Sequence, residues 1–228
     1  DIERMQGDLS AAEATYGAAI ARSPNRWLAA FSRAVARLDQ GKVDGAEADI
    51  ALAEAQFPEF VGLVYAQGRV DLLRGRPGEA AAAFERYLGA SPADANALFY
   101  AAFTANQLGN REQALEYLRR MEAAEGTSTR LLWLKAKTLL AKGDAAGAEA
   151  LLRAPMAGEA PPAELALLAQ EALVRQGRLE DALALVARAL AARPNDAGLR
   201  AAETRLRFVT GDRDAAEAAA RERLAQDP

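Results

Sequence analysis

The chain has 228 residues, a formal charge of −4 and neither cysteine nor histidine. It is 51% hydrophobic and 26% charged, the balance of a folded chain, and its two missing residue types exclude disulfides, thiolate or histidine metal sites, cysteine nucleophiles and imidazole bases. Basic residues are interspersed with acidic ones in a net-acidic chain, which argues against nucleic acid and anionic membrane surfaces as partners.

Alanine fills about a quarter of the positions. It is the best helix former, so composition favours an all-α fold. No run approaches the eighteen or so apolar residues of a membrane helix, so no membrane insertion is expected. Asp1-Ile2-Glu3-Arg4 has no basic start followed by an apolar stretch, and the chain reads as a cut or processed piece. The absence of cysteine suits both cytosol and periplasm.

A fixed period organises the chain. Gly7, Gly41, Gly75, Gly109, Gly143, Gly177 and Gly211 stand 34 residues apart. Each marks a helix end, because glycine takes the left-handed conformation that closes one. Five residues after each glycine stands an alanine, from Ala12 to Ala216, where two helices must approach closely. Prolines 24, 58, 92, 194 and 228 follow seventeen residues after their glycines and are read as starts of the next helix. Ser23 and Ser91 precede two of them and are read as capping residues.

In chain order, residues 1–26 form a partial unit: Asp1–Met5 as the tail of a first helix, then a second helix from about Leu9. Units 27–60 and 61–94 are complete hairpins of two antiparallel helices, each helix about 14 residues long. Unit 95–128 carries Gly126 in place of the proline. Unit 129–162 is irregular: Pro155 falls inside its second helix, removes a hydrogen bond and clashes with the preceding turn. That helix should stop near Arg153, leaving Met156–Pro162 as a loop. The irregularity is either a tolerated variation or a hinge that alters curvature. Units 163–196 and 197–228 resume the pattern.

A 34-residue helix–turn–helix with these small-residue, glycine, alanine, aromatic and proline marks resembles the tetratricopeptide repeat (TPR). Gln176-Gly177-Arg178-Leu179-Glu180-Asp181-Ala182 and Arg193-Pro194-Asn195-Asp196 look like its consensus. The resemblance covers the whole chain. It implies a single right-handed α-solenoid over residues 1–228 whose concave surface, lined by the first helix of each pair, holds a peptide or protein partner. The family usually ends in a polar capping helix, and none is visible, so the parent protein is expected to continue at both ends.

The resemblance places groove-facing positions ten, six, three and two residues before each glycine. Ten before gives Phe31, Tyr65, Phe99, Trp133, Leu167 and Ala201, an expected aromatic ladder. Six before gives Val35, Arg69, Phe103, Lys137, Glu171 and Arg205; three before includes Asn106. The aromatics are either packed between neighbouring first helices or exposed as anchors for a partner. Tyr65, Phe99, Phe103 and Trp133 are the leading anchors, with Phe31 beside them, and Arg69, Arg130 and Lys137 nearby to orient an acidic partner. An aromatic row also suits sugar rings, so polysaccharide is a second partner class. The Lys/Asn carboxylate clamp of chaperone-binding members and the asparagine ladder of members fused to sugar-transferring enzymes are both absent. In composition and repeat style the chain resembles bacterial envelope scaffolds that assemble or export exopolysaccharide, which leans the compartment towards periplasm.

No phosphate loop, calcium loop or nucleophile elbow occurs. Carboxylates such as Glu112 with Glu116 fall on outer helix faces as solvated charges. The sequence therefore predicts a non-catalytic interaction scaffold with no cofactor and no metal. An enzymatic domain tethered beyond the chain is the remaining alternative.

Overall fold

The computed structural model describes residues 8–23 and 26–211. Among them it has twelve α-helices and no strand, so the expected all-α class holds. In chain order these are α1 (Leu9–Arg22), α2 (Trp27–Asp39), α3 (Val43–Glu54), α4 (Gly62–Leu73), α5 (Pro77–Ala90), α6 (Ala95–Gln107), α7 (Arg111–Glu125), α8 (Thr129–Lys142), α9 (Ala145–Leu152), α10 (Ala163–Arg175), α11 (Leu179–Ala192) and α12 (Ala197–Val209). Asp1–Met5, Gly7, Pro24 and the residues after Gly211, with the marks Ala216 and Pro228, lie outside the described residues.

The chain forms two compact units, residues 1–125 and 126–228. In the first, α2/α3, α4/α5 and α6/α7 are hairpins, α1 packs on α2, and α4 packs on both α2 and α6. In the second, α8/α9 and α10/α11 are hairpins, α12 packs on α11, and α10 lies between α8 and α12. Each unit is thus a run of α-solenoid helix pairs.

The turns inside the hairpins are closed as the spacing predicts. Gly41, Gly75, Gly109, Gly143, Gly177 and Gly211 all have φ between 72° and 90°, the left-handed region that glycine enters without penalty. In the first five, the next residue donates its N–H to the carbonyl five positions before it, at 2.8–3.0 Å (Lys42 to Arg37, for example). This is the helix-ending bond that the left-handed residue permits.

The turns between hairpins correct the expectation for proline. Pro92 and Pro194 stand ahead of their helices, which start at Ala95 and Ala197. Ser91 is the last residue of the preceding turn, donating its N–H to Tyr87, and not a helix-starting cap; Ser23 likewise ends α1. The residue before proline is barred from helical geometry by the ring, and Ser91 and Arg193 sit at φ −134° and −140°. Proline here stops one helix. The next is started two residues later by Asp94 and Asp196, whose carboxylates accept from Ala97 and Leu199 N–H at 2.9 Å.

The repeated alanines are where helices touch: Ala12, Ala46, Ala80, Ala114, Ala148 and Ala182 are all fully buried. A second pair of positions trades volume. Seven before and nine after four successive glycines stand Ala34/Ile50, Gly68/Phe84, Ala102/Leu118 and Ala136/Leu152, whereas Gly177 has Gln170/Val186. The largest partner, Phe84, is matched by the smallest, and a Cβ at Gly68 would lie 2.9 Å from the Phe84 ring. In these four pairs the small and large partners offset one another, so the summed volume stays nearly constant.

The irregular repeat behaves as expected. α9 ends at Leu152, and residues 153–162 are non-helical. It has 8 residues, against 12 to 15 for α3, α5, α7 and α11.

A polar clasp recurs at the turns. Gln40 donates to the Leu9 carbonyl and Glu13, while Lys42 and Arg37 pair with Glu13 at 2.8 Å. Four periods on, Gln176 donates to the Ala145 carbonyl and Glu149, and Arg178 pairs with Glu149 at 2.8 Å. Arg74 reaches Glu47 at 2.7 Å from the same repeat position. Each clasp ties a turn to the second helix of the preceding hairpin. The cationic neighbours hold Glu13 down at a pKa of about 2 and lower that of Glu149.

Candidate partner-binding face

In the first unit the ladder residues sit on adjacent helices: Phe31 on α2, Tyr65 and Arg69 on α4, Phe99, Phe103 and Asn106 on α6. The five aromatic and amide side chains are half-buried. The rings do not stack in file on one another. Phe31 packs edge-on against Phe60, from the α3–α4 connection, at 4.9 Å between centroids. Phe60 also meets Trp27 at 4.9 Å and Phe57 at 6.2 Å. Phe57 keeps 40% of its surface exposed.

Tyr65 lies among three rings, Tyr87 at 5.3 Å and Phe84 and Tyr100 at 6.1 Å. Burial there pushes its phenol well above the usual tyrosine range. Tyr100 is stacked on Phe84 at 5.9 Å and takes Phe99 edge-on at 5.5 Å. Edge-on and offset contacts are the arrangements that ring quadrupoles favour.

Arg69 is buried, with 5% exposure. Its guanidinium pairs with Asp39 at 2.8 Å and lies 4.8 Å from the Tyr100 centroid. Asp39, two before its glycine, comes from α2, so the pair bridges neighbouring first helices. Arg69 thus props the wall from within rather than projecting a charge from it.

In the second unit, Arg130 and Trp133 are half-buried on α8 and Lys137 is exposed. The Lys137 ammonium sits 4.6 Å from the Trp133 ring centroid, a cation–π contact. Trp133 packs against the core that α10 and α11 share. Between α10 and α12 lies a cavity of about 500 Å³. Leu167, Glu171, Val174, Ala201 and Arg205 line it, and these are residues at the ten-, six- and three-before positions. Glu171 is held by Arg175 at 2.6 Å.

Sequence reasoning missed Tyr100, Phe57, Phe60 and Tyr87. Tyr100 lies nine before its glycine, next to the ladder position; Phe57 and Phe60 sit in a connection whose conformation no period dictates. Among the described residues no cluster of acidic side chains is arranged to hold a metal ion, and no helix is long and apolar enough to cross a membrane.

Family models of the tetratricopeptide repeat match residues 2–59 and 71–138. No curated protein matches the chain. Solved structures similar to it include a tetratricopeptide repeat protein of Parabacteroides merdae (16% identity, 99% of this chain and 90% of that one, TM-score 0.70). PilW, a type IV pilus biogenesis factor, is 22% identical over 88% of this chain and 93% of its own, with a TM-score of 0.76. YrrB, a repeat protein described as having an unusual peptide-binding site, is 18% identical over 82% and 97%, with a TM-score of 0.59. At these identities the likeness shows the fold.

Proposed function

Because the chain belongs to the tetratricopeptide repeat family, whose helix pairs serve as protein-interaction scaffolds, we propose that its first-helix face binds an extended peptide or protein segment. The observation that carries this reading is the cavity between α10 and α12, lined by residues at the positions the family uses for its groove. Its apolar walls, Leu167, Val174 and Leu206, accept partner side chains, and Arg205 offers a cation at the rim. In the first unit, Phe99 and Phe103 on α6 are half-buried rings on the corresponding face. Trp133 with Lys137 offers an apolar plate and a charge together. Phe31 packs on Phe60, and Tyr65 on Tyr87 and Phe84, and both shape the face. Arg69 holds α2, α4 and α6 in register through Asp39 and Tyr100. A binding event on such a face needs no chemical step.

The experiment is selection of a displayed random-peptide library on the full chain, followed by affinity measurement on Phe99→Ala/Phe103→Ala and on Leu167→Ala/Arg205→Gln. Loss of about tenfold or more, with the thermal melt retained, supports the face. Selected peptides that bind both variants like the parent chain refute it. Parallel titration with neutral and acidic oligosaccharides tests the polysaccharide reading, and saturable sugar binding lost in the same variants would replace the peptide.

A further inference from the structure

The early end of α9 leaves a second concavity, about 400 Å³, between α9, the turn after it, α10 and α11. It is distinct from the first-helix face: Leu167 and Val174 of α10 line the one, Ala169 and Leu173 the other. The floor is apolar, built by Leu152, Met156, Leu173 and Leu185, all buried. Met156 and Ala157 occupy turn positions where a second helix of ordinary length would continue and fill the space.

The rim carries Arg153, Arg178 and Arg188 against Glu149 and Asp181. Arg178 satisfies both carboxylates, pairing with Glu149 at 2.8 Å and Asp181 at 2.6 Å. Arg188 spends one guanidinium N–H on the neutral Met156 carbonyl at 2.6 Å. Arg178 immediately precedes α11 and Arg188 lies within it, so a rise of 1.5 Å per residue separates them by about 15 Å. Arg153, four residues after Glu149, also acts on that carboxylate. Around the apolar middle three guanidiniums thus face two carboxylates, and Arg188, whose bond goes to a neutral carbonyl, carries the excess positive charge.

We propose that this concavity is a second docking site that takes an acidic peptide segment, an aliphatic side chain on the floor followed by a carboxylate at Arg153 and Arg188. A guanidinium is the cation best suited to grip a carboxylate, and the apolar floor rewards an aliphatic neighbour of that carboxylate. The site stands whether or not the first-helix face binds a partner.

The test is an NMR titration of the ¹⁵N-labelled full chain with three probes: acetyl-Leu-Asp-Glu-amide, its neutral analogue acetyl-Leu-Asn-Gln-amide, and hexanoate. The acidic peptide should shift the amides of residues 153–157 and 184–188 and bind at least about fivefold more tightly than the neutral one. Arg153→Gln/Arg188→Gln should weaken it about fivefold. Ala184→Trp, which fills the concavity from an exposed position, should abolish it; this variant decides the matter if loss of the Arg188 bond lowers the melt of the first. Shifts confined to other helices, equal binding of the neutral peptide, or unchanged affinity in Ala184→Trp overturn the proposal. Hexanoate binding as tightly as the acidic peptide overturns it in favour of a free aliphatic acid.

Discussion

Adding one methyl group at Gly68 tests the volume exchange between helix pairs. The added carbon would lie 2.9 Å and 3.1 Å from two Phe84 ring atoms and 3.1 Å from the Ala83 Cβ. Phe84 is fully buried, and its ring is packed on Tyr65 and Tyr100, so it has nowhere to retreat. Overpacking of this kind costs about 1–3 kcal/mol, while replacing glycine by alanine in a helix gains about 1 kcal/mol. Gly68→Ala should therefore destabilise the protein by about 1 kcal/mol. Gly89→Ala, in α5 with open space around its Cβ, should be neutral or stabilising. Phe84→Leu alone should cost about 1–2 kcal/mol through the cavity it leaves. The double variant recreates the Ala102/Leu118 combination, so the two losses should not add, and a coupling of about 1–2 kcal/mol is expected. Urea unfolding followed by circular dichroism measures all four. Losses that add to within about 0.5 kcal/mol would refute the argument that the pair shares one volume.

Glu13 is held at a pKa of about 2 by Lys42 and Arg37, from an ordinary 4.5. A depressed carboxylate stabilises the fold above its unfolded value and loses that contribution as the pH falls between about 4.5 and 2. Glu13→Gln should melt below the parent at pH 7, and the difference should shrink to nothing across that window in thermal melts. Asp49 is buried and takes Arg33 through both oxygens, at 2.5 and 2.8 Å, and Arg37 at 2.9 Å. Asp49→Ala strands the part-buried Arg33 guanidinium, while Arg37 keeps Glu13 and the Gly45 carbonyl, and should cost about 2–4 kcal/mol in urea unfolding; a loss under about 0.5 kcal/mol would contradict it. Tyr65 has its phenol raised by burial, so the folded state keeps it neutral where the unfolded chain ionises. Stability should fall as the pH rises above about 10, and less steeply in Tyr65→Phe, as read from melts across alkaline pH.

Much of this architecture is legible in the chain because it depends on local chemistry. A left-handed turn needs glycine, a close helix contact needs alanine, and a mid-helix proline ends a helix. Hence the 34-residue period, the fully buried alanines and the stop at Leu152 all follow from residue type and spacing. Tertiary structure decided what depends on which neighbour arrives. The position of Arg69 reads as groove-facing, yet Asp39 from α2 and Tyr100 from α6 turn its guanidinium inward, and neither lies within reach along its own helix. Phe31 and Tyr65 share one repeat position, yet one meets a ring from a connecting turn and the other a ring from a second helix. The concavity beside α11 is the clearest case. Proline at 155 forecasts a broken helix, but whether the vacated space fills or stays open depends on where Met156 and Arg188 come to rest, which only the packed neighbours determine.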